Sequence, residues 1–176
     1  MSFGQLAVKA GHFLVDIDGG GVLLFQAMPP AGTGWTTSKS VNWRATGILG
    51  RSSPIQGYAN SEPRTFSVPV YLHSSVEQFD PTTPEIVKLA CDWLESLAYP
   101  DYKVGVRPPH RIFLHLGLQI NTVCVLSRIS IRYLDPKDPF TGLAYNAVCD
   151  CTFIEVEDVP SGVDDVRGLA GLLGVI

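Results

Sequence analysis

Charge is what this sequence has least of: 17% of its 176 residues are Asp, Glu, Lys or Arg, where an ordinary soluble domain carries about a quarter. With 45% hydrophobic residues, the chain is excluded from the disordered class, which needs low hydrophobicity and high charge. A net charge of −4 also argues against a domain that grips nucleic acid, because phosphate neutralisation needs clustered Lys and Arg. A mildly acidic wall past which DNA slides remains compatible with it, as does an ordinary soluble protein. Low charge suits a surface that other subunits cover. No apolar run reaches the roughly 18 residues that span a bilayer, so no membrane partner is expected. Residues 1–10 lack a basic stretch followed by an apolar one, so the expectation is a chain made and folded in a cytoplasm.

Cysteine is scarce too. Cys91, Cys124, Cys149 and Cys151 are the four present, and a cytoplasmic setting would keep them reduced. Cys149-Asp150-Cys151 puts two thiols on one face of a strand, but no second pair has finger spacing. They read as small apolar core residues, and neither a metal nor a cofactor is expected.

Patterns that carry catalysis are equally thin. His110 and His115 are five apart, so on one strand they point to opposite faces; His12 and His73 stand alone. Gly19-Gly20-Gly21 has neither the spacing nor the Lys of a phosphate loop, and Ser127 has no nucleophile-elbow context. Asp16 and Asp18 lie two apart beside those glycines. Paired carboxylates can work as acid and base, while a hairpin turn explains the same residues through turn chemistry. No catalytic residue is assigned.

What is present is β-structure with one helix. Residues 12–17 and 22–27 flank Asp18-Gly19-Gly20-Gly21 and read as a hairpin. Residues 28–57 are rich in Gly, Pro, Ser and Thr and read as a long loop with one strand-like piece at 40–45. Phe66, Val68, Val70 and Leu72 alternate with Ser67, Pro69 and Tyr71, so one face of that strand is buried. Pro69 places it at an edge or a bulge. A helix is expected over 84–98, capped by Thr82 or Thr83 with Pro84 and Glu85 in the first turn. Its apolar stripe is Ile86, Leu89, Ala90, Trp93, Leu94 and Leu97, and Tyr99-Pro100 ends it. Strands follow near 110–116, 119–126, 128–134 and 145–156. Residues 1–158 thus read as one domain and 159–176 as an extension with an apolar, Gly-rich end at 168–176.

The order of these parts carries a resemblance. Tyr58-Ala59-Asn60-Ser61-Glu62-Pro63-Arg64-Thr65-Phe66 leads a strand, and the helix closes on Asp92-Trp93-Leu94-Glu95-Ser96-Leu97-Ala98-Tyr99-Pro100. Pro108-Pro109-His110-Arg111, Leu114-His115-Leu116-Gly117, Cys124-Val125-Leu126-Ser127, Asp138-Pro139-Phe140-Thr141-Gly142 and Cys151-Thr152-Phe153-Ile154-Glu155-Val156 follow in turn. Over about residues 10–158 this resembles the tube-initiator and hub-adaptor baseplate proteins of contractile phage tails and related injection systems, including those that carry a LysM module. Nothing after residue 158 in this sequence has the length of that module, so the likeness does not extend to peptidoglycan binding.

The resemblance implies a mainly β fold, an antiparallel β-sandwich or barrel of tail-tube type with one flanking α-helix. It implies a homo-oligomeric ring, most simply six-fold, between the hub and the first tube ring, with hub, wedge and tail tube proteins as partners and DNA as passing cargo. Tube-lining hairpins would lie among 12–27 and 123–134, and the protein would sit in the virion after assembly in the host cytoplasm. Interface candidates are Trp35, Trp43, Tyr58, Asn60, Arg64, Phe140, Leu172, Leu173 and Ile176. The rival expectation is a carbohydrate- or cell-surface-binding module that stacks sugars on Trp35, Trp43 and Tyr58.

Overall fold

The computed structural model describes residues 12–24, 34–47, 49, 52–74, 84–102, 106–117 and 119–156. They form nine strands and one helix: β1 (His12–Asp16), β2 (Val22–Leu24), β3 (Thr36–Ser38), β4 (Val41–Thr46), β5 (Ile55–Ser61), β6 (Thr65–His73), α1 (Pro84–Ser96), β7 (Arg111–Leu116), β8 (Ile120–Lys137) and β9 (Ala144–Glu155). Seven strands make one antiparallel sheet in the order β2-β1-β7-β8-β9-β6-β3, and β4 with β5 makes a separate two-stranded sheet. The fold is therefore mainly β with one flanking helix. The large sheet curls: Gly21, beside its β2 edge, comes against Trp93 of α1, while the same helix packs most heavily on β9, at the other side of the sheet.

Period-two patterning builds the core. Phe66, Val68, Val70 and Leu72 of β6 are buried, as are Ala147, Cys149, Cys151 and Phe153 of β9 and Ile112, Leu114 and Leu116 of β7. Each such side chain taken from water stabilises the fold by roughly 1.5–3 kcal/mol for the larger apolar types. The helix covers this face with Val87, Ala90, Cys91, Leu94 and Leu97, a row at the i, i+3, i+4, i+7 spacing.

That row lies to one side of the expected stripe. Leu89 is 66% exposed, and Ile86 and Trp93 are half-buried. The helix has two adjoining apolar rows, and the sheet takes the one whose Cys91 meets Cys149, with the sulfurs 3.8 Å apart. The helix begins at Pro84 as expected and ends at Ser96; the expected cap residues Thr82 and Thr83 lie outside the described residues.

Three further expectations are corrected. The strands expected at 119–126 and 128–134 are one strand, β8, with a bulge: Leu126 pairs with Phe153 but Arg128 with Thr152, leaving Ser127 as the extra residue. Cys124 and Leu126 point into the core before the bulge, and Ile129 and Ile131 pack against it afterwards. The bulge shifts the phase by one residue, which keeps Arg128, Ser130 and Arg132 on the outer face. The 28–57 segment, expected as a loop, contains β3, β4 and the start of β5. Likewise, the strand led by Tyr58 is two strands, β5 and β6, parted at Glu62-Pro63-Arg64. Proline supplies no N–H for a ladder, and the break lets β5 join β4 while β6 joins the large sheet.

Candidate assembly surface

β6, β9 and the second half of β8 form a three-stranded ribbon. β7 pairs with β8 only over Ile120–Val125, so from Arg128 to Lys137 β8 is paired by β9 alone among the described residues. On the other side, β3 covers only Thr65, Phe66 and Ser67 of β6. From Val68 to His73, β6 has β9 as its one described neighbour. Among the described residues the ribbon thus carries two unpaired backbone edges, on opposite sides of β9.

Pro69 stands on one of those edges, as its lack of a donor requires. The Glu155 N–H donates to the Arg64 carbonyl at 2.9 Å and the Ser74 N–H to the Tyr145 carbonyl at 3.0 Å. Antiparallel alternation then sends the amides of residues 66, 68, 70 and 72 toward β9 and the nitrogen of Pro69 away from it. The edge loses one donor there. Arg128 and Arg132 are exposed along the opposite strand, and Arg132 meets Asp150 at 3.5 Å in a solvent-facing pair that contributes little.

The second feature is the arm formed by β4 and β5. Every residue of both strands is exposed. Trp43 and Tyr58 pair across the arm edge to face, 6.0 Å between centroids, and each is 61% exposed. Val41 and Ile55 add exposed apolar surface. Asn60 lies opposite Asn42, whose side-chain amide donates to Glu62 at 3.1 Å, and the Glu62 N–H donates to the Ser40 carbonyl at the arm's base. A lone two-stranded hairpin is marginal in water. Aromatic stacking of this kind contributes about 0.5–1.5 kcal/mol, so the arm's own contacts support it only weakly.

The other candidate residues are dispersed. Trp35 is half-buried at the rim of the core, its ring 5.5 Å from His12, so the three loop aromatics do not form one platform. Phe140 is 95% exposed at the tip of the β8–β9 turn, where Asp138 accepts the Phe140 and Thr141 N–H groups at 3.2 Å each. Leu172, Leu173 and Ile176 lie outside the described residues. Arg64, an interface candidate, bonds within its own chain: Nε and an Nη each donate at 2.8 Å to Glu155, which is 6% exposed and also accepts from Thr122 at 2.8 Å. This cluster joins the ends of β6, β8 and β9. The sequence separation of 91 residues between Arg64 and Glu155 hid it from sequence reasoning.

The possible catalytic groups serve as turn and sheet fasteners. Asp16 accepts the N–H groups of Asp18 and Gly19 and meets His110 Nδ1 at 2.9 Å. Asp18 instead makes a fork with Arg111, which donates from Nη at 2.9 Å, Nε at 3.2 Å and its backbone N–H at 2.9 Å. Those bonds hold the Asp18 carboxyl down to about 2. Each carboxylate has its own partner, so the two do not act as a dyad. The histidines are in four places: His12 by Trp35, His73 by Tyr71, His110 on Asp16, and His115 stacked on Phe13 with a bond to Asn121. All four thiols are buried. Burial, then the Glu155 charge, pushes Cys124 up to about 12, and burial, then Asp150, does the same for Cys151. Among the described residues no group of three or more His, Cys, Asp or Glu side chains is placed to hold a metal ion. No helix among them is long and apolar enough to cross a membrane.

The chain matches no protein-family model, and no curated protein is a significant match to it.

Proposed function

We propose that this chain is a structural virion subunit of a contractile-tail baseplate, forming a homo-oligomeric ring that connects the central hub to the tail tube. The observation that carries the reading is the ribbon with one open edge on each side of β9. Two different edges on one subunit pair head to tail, β8 of one copy with β6 of the next. Such contacts close into a ring when the rotation closes, and these two edges are then paired throughout it. Six-fold symmetry follows from the resemblance to tail-tube-like adaptors, as do the hub, wedge and tube neighbours and the virion location. The exposed arm supplies reach toward an adjacent ring, with Trp43 and Tyr58 as its apolar contacts. DNA is cargo in this reading, and the low positive charge suits a lumen it passes without sticking. No catalytic step is assigned.

The test is the mass of the purified protein by light scattering with negative-stain imaging, alone and with its tail tube neighbour. Rings, alone or on addition of the tube protein, support the proposal and give the symmetry. A monomer indifferent to tube protein sinks it, and glycan binding at the Trp43–Tyr58 pair then becomes the reading to pursue.

A further inference from the structure

The second apolar row of α1 does not go to waste against solvent alone. Ile86, Leu89, Ala90 and Trp93 face Gly21, Val22 and Leu23 across a groove of about 250 Å³. Its rim is costly to leave wet: Leu89 is 66% and Val22 37% exposed. The floor is tight at Gly21, whose φ of +129° strains any side chain and whose Cβ position would lie 3.1 Å from Trp93 Nε1. This volume falls below the roughly 300 Å³ of small-molecule sites, and the lining offers few convergent polar groups. Apolar side chains of a polypeptide fit it better than a cofactor does.

We propose that the occupant is the segment 168–176 of the same chain, Gly168-Leu169-Ala170-Gly171-Leu172-Leu173-Gly174-Val175-Ile176. The sheet brings the chain to the right end. Val156 donates to the Val123 carbonyl, and Glu155 pairs with Cys124, Cys124 with Ile112, and Ile112 with Asp16. The Asp16 N–H in turn donates to the Gly21 carbonyl at the groove. Four strand spacings, roughly 19 Å along the sheet, separate β9 from β2. Residues 157–167 span up to about 36 Å when extended, so the reach is ample.

Composition divides the segment in the same sense. Residues 157–167 hold Glu157, Asp158, Asp164, Asp165 and Arg167, which favour water, whereas 168–176 carries no charged side chain. Gly168, Gly171 and Gly174 recur every third residue, giving bare backbone that can approach the helix closely while the leucines fill the groove. A short tether also holds the segment near its site at an effective concentration in the millimolar range, which favours the same chain over a second copy. The inference stands apart from ring assembly and does not rest on it.

Disulfide trapping in the full chain tests it. Leu89→Cys combined with Leu172→Cys, and separately with Leu173→Cys, would be oxidised mildly in dilute solution; the native thiols are buried. Phe140→Cys with Leu172→Cys gives the rate for an untargeted encounter. Cross-linking within one chain at least tenfold faster than that control, read by intact mass and peptide mapping, is the expected result. Equal rates overturn the proposal. Cross-linked dimers overturn the assignment to the same chain and give the groove to a second copy. Leu89 is exposed enough that its substitution leaves the core intact, and circular dichroism of each variant checks this.

Discussion

The arm and the β6–β9 pair are both antiparallel two-strand units of comparable length, built from the same strand-forming residue types, and they live under opposite conditions. In β6–β9, Phe66, Val68, Val70 and Leu72 are buried beside Phe153, Cys151, Cys149 and Ala147. In the arm, Val41, Trp43, Ile55 and Tyr58 have the same propensity for strand, yet none is covered. Propensity and cross-strand pairing shape both strand pairs; burial supports only one. The ribbon is held by the core, whereas the arm rests on its own cross-strand contacts; in the proposed assembly a neighbour would complete it.

Substitutions should separate the two regions, beginning with the largest effect. Phe153→Ala empties a fully buried ring site and is expected to cost about 3–5 kcal/mol, seen as a fall in the urea midpoint of the isolated chain. Arg64→Ala comes next, at about 2–3 kcal/mol, because it removes two guanidinium donors from the buried Glu155 carboxylate. Glu155→Gln should cost less, since the half-exposed guanidinium can recover water; equal costs would show that the buried charge is not the controlling element.

The Asp18–Arg111 fork is a smaller effect with a definite sign. The folded carboxyl is held down to about 2 against an ordinary 3.8, so its stabilisation is fully present above the ordinary value and is lost as pH falls through about 2. Both side chains are substantially exposed, which limits the contribution to below about 1 kcal/mol. Urea midpoints of the native chain and Asp18→Asn should therefore converge between pH 4 and pH 2. The smallest effect on stability is the most telling. Trp43→Ala should move the folding free energy of the monomer by less than about 0.5 kcal/mol while weakening association with the tube neighbour in light scattering. A large loss of monomer stability would mean that the arm is part of the core after all.

Much of this was legible in the sequence where a buried face leaves a period. The alternation at 66–72 and the Pro84-Glu85 start of the helix lead directly to β6 and α1, and Pro69 foretells its open edge. The arm was legible only as one strand-like piece: β4 alternates Val41, Trp43 and Ala45 with Asn42, Arg44 and Thr46, whereas β5 carries no such alternation. The helix stripe was misplaced because α1 is apolar on two adjoining rows, and only the position of Cys149 decides which row the sheet takes. The site-forming features depend on what lies far apart along the chain: the open edges follow from where β7 and β3 stop, and the Arg64–Glu155 bond joins two distant segments.

Ser127 leaves a mark on how this sequence is free to vary. β8 is one ladder that carries two hydrophobic phases, even-numbered before Ser127 and odd-numbered after it. A single-residue deletion or insertion within the second phase would turn Arg128, Ser130 and Arg132 toward the core, and one within the first would replace Cys124 and Leu126 there by Val123 and Val125. Related sequences should therefore change length at β8 in steps of two, or in compensating pairs of one on either side of the bulge. Loss of Ser127 alone would be among the changes that lineage history rejects.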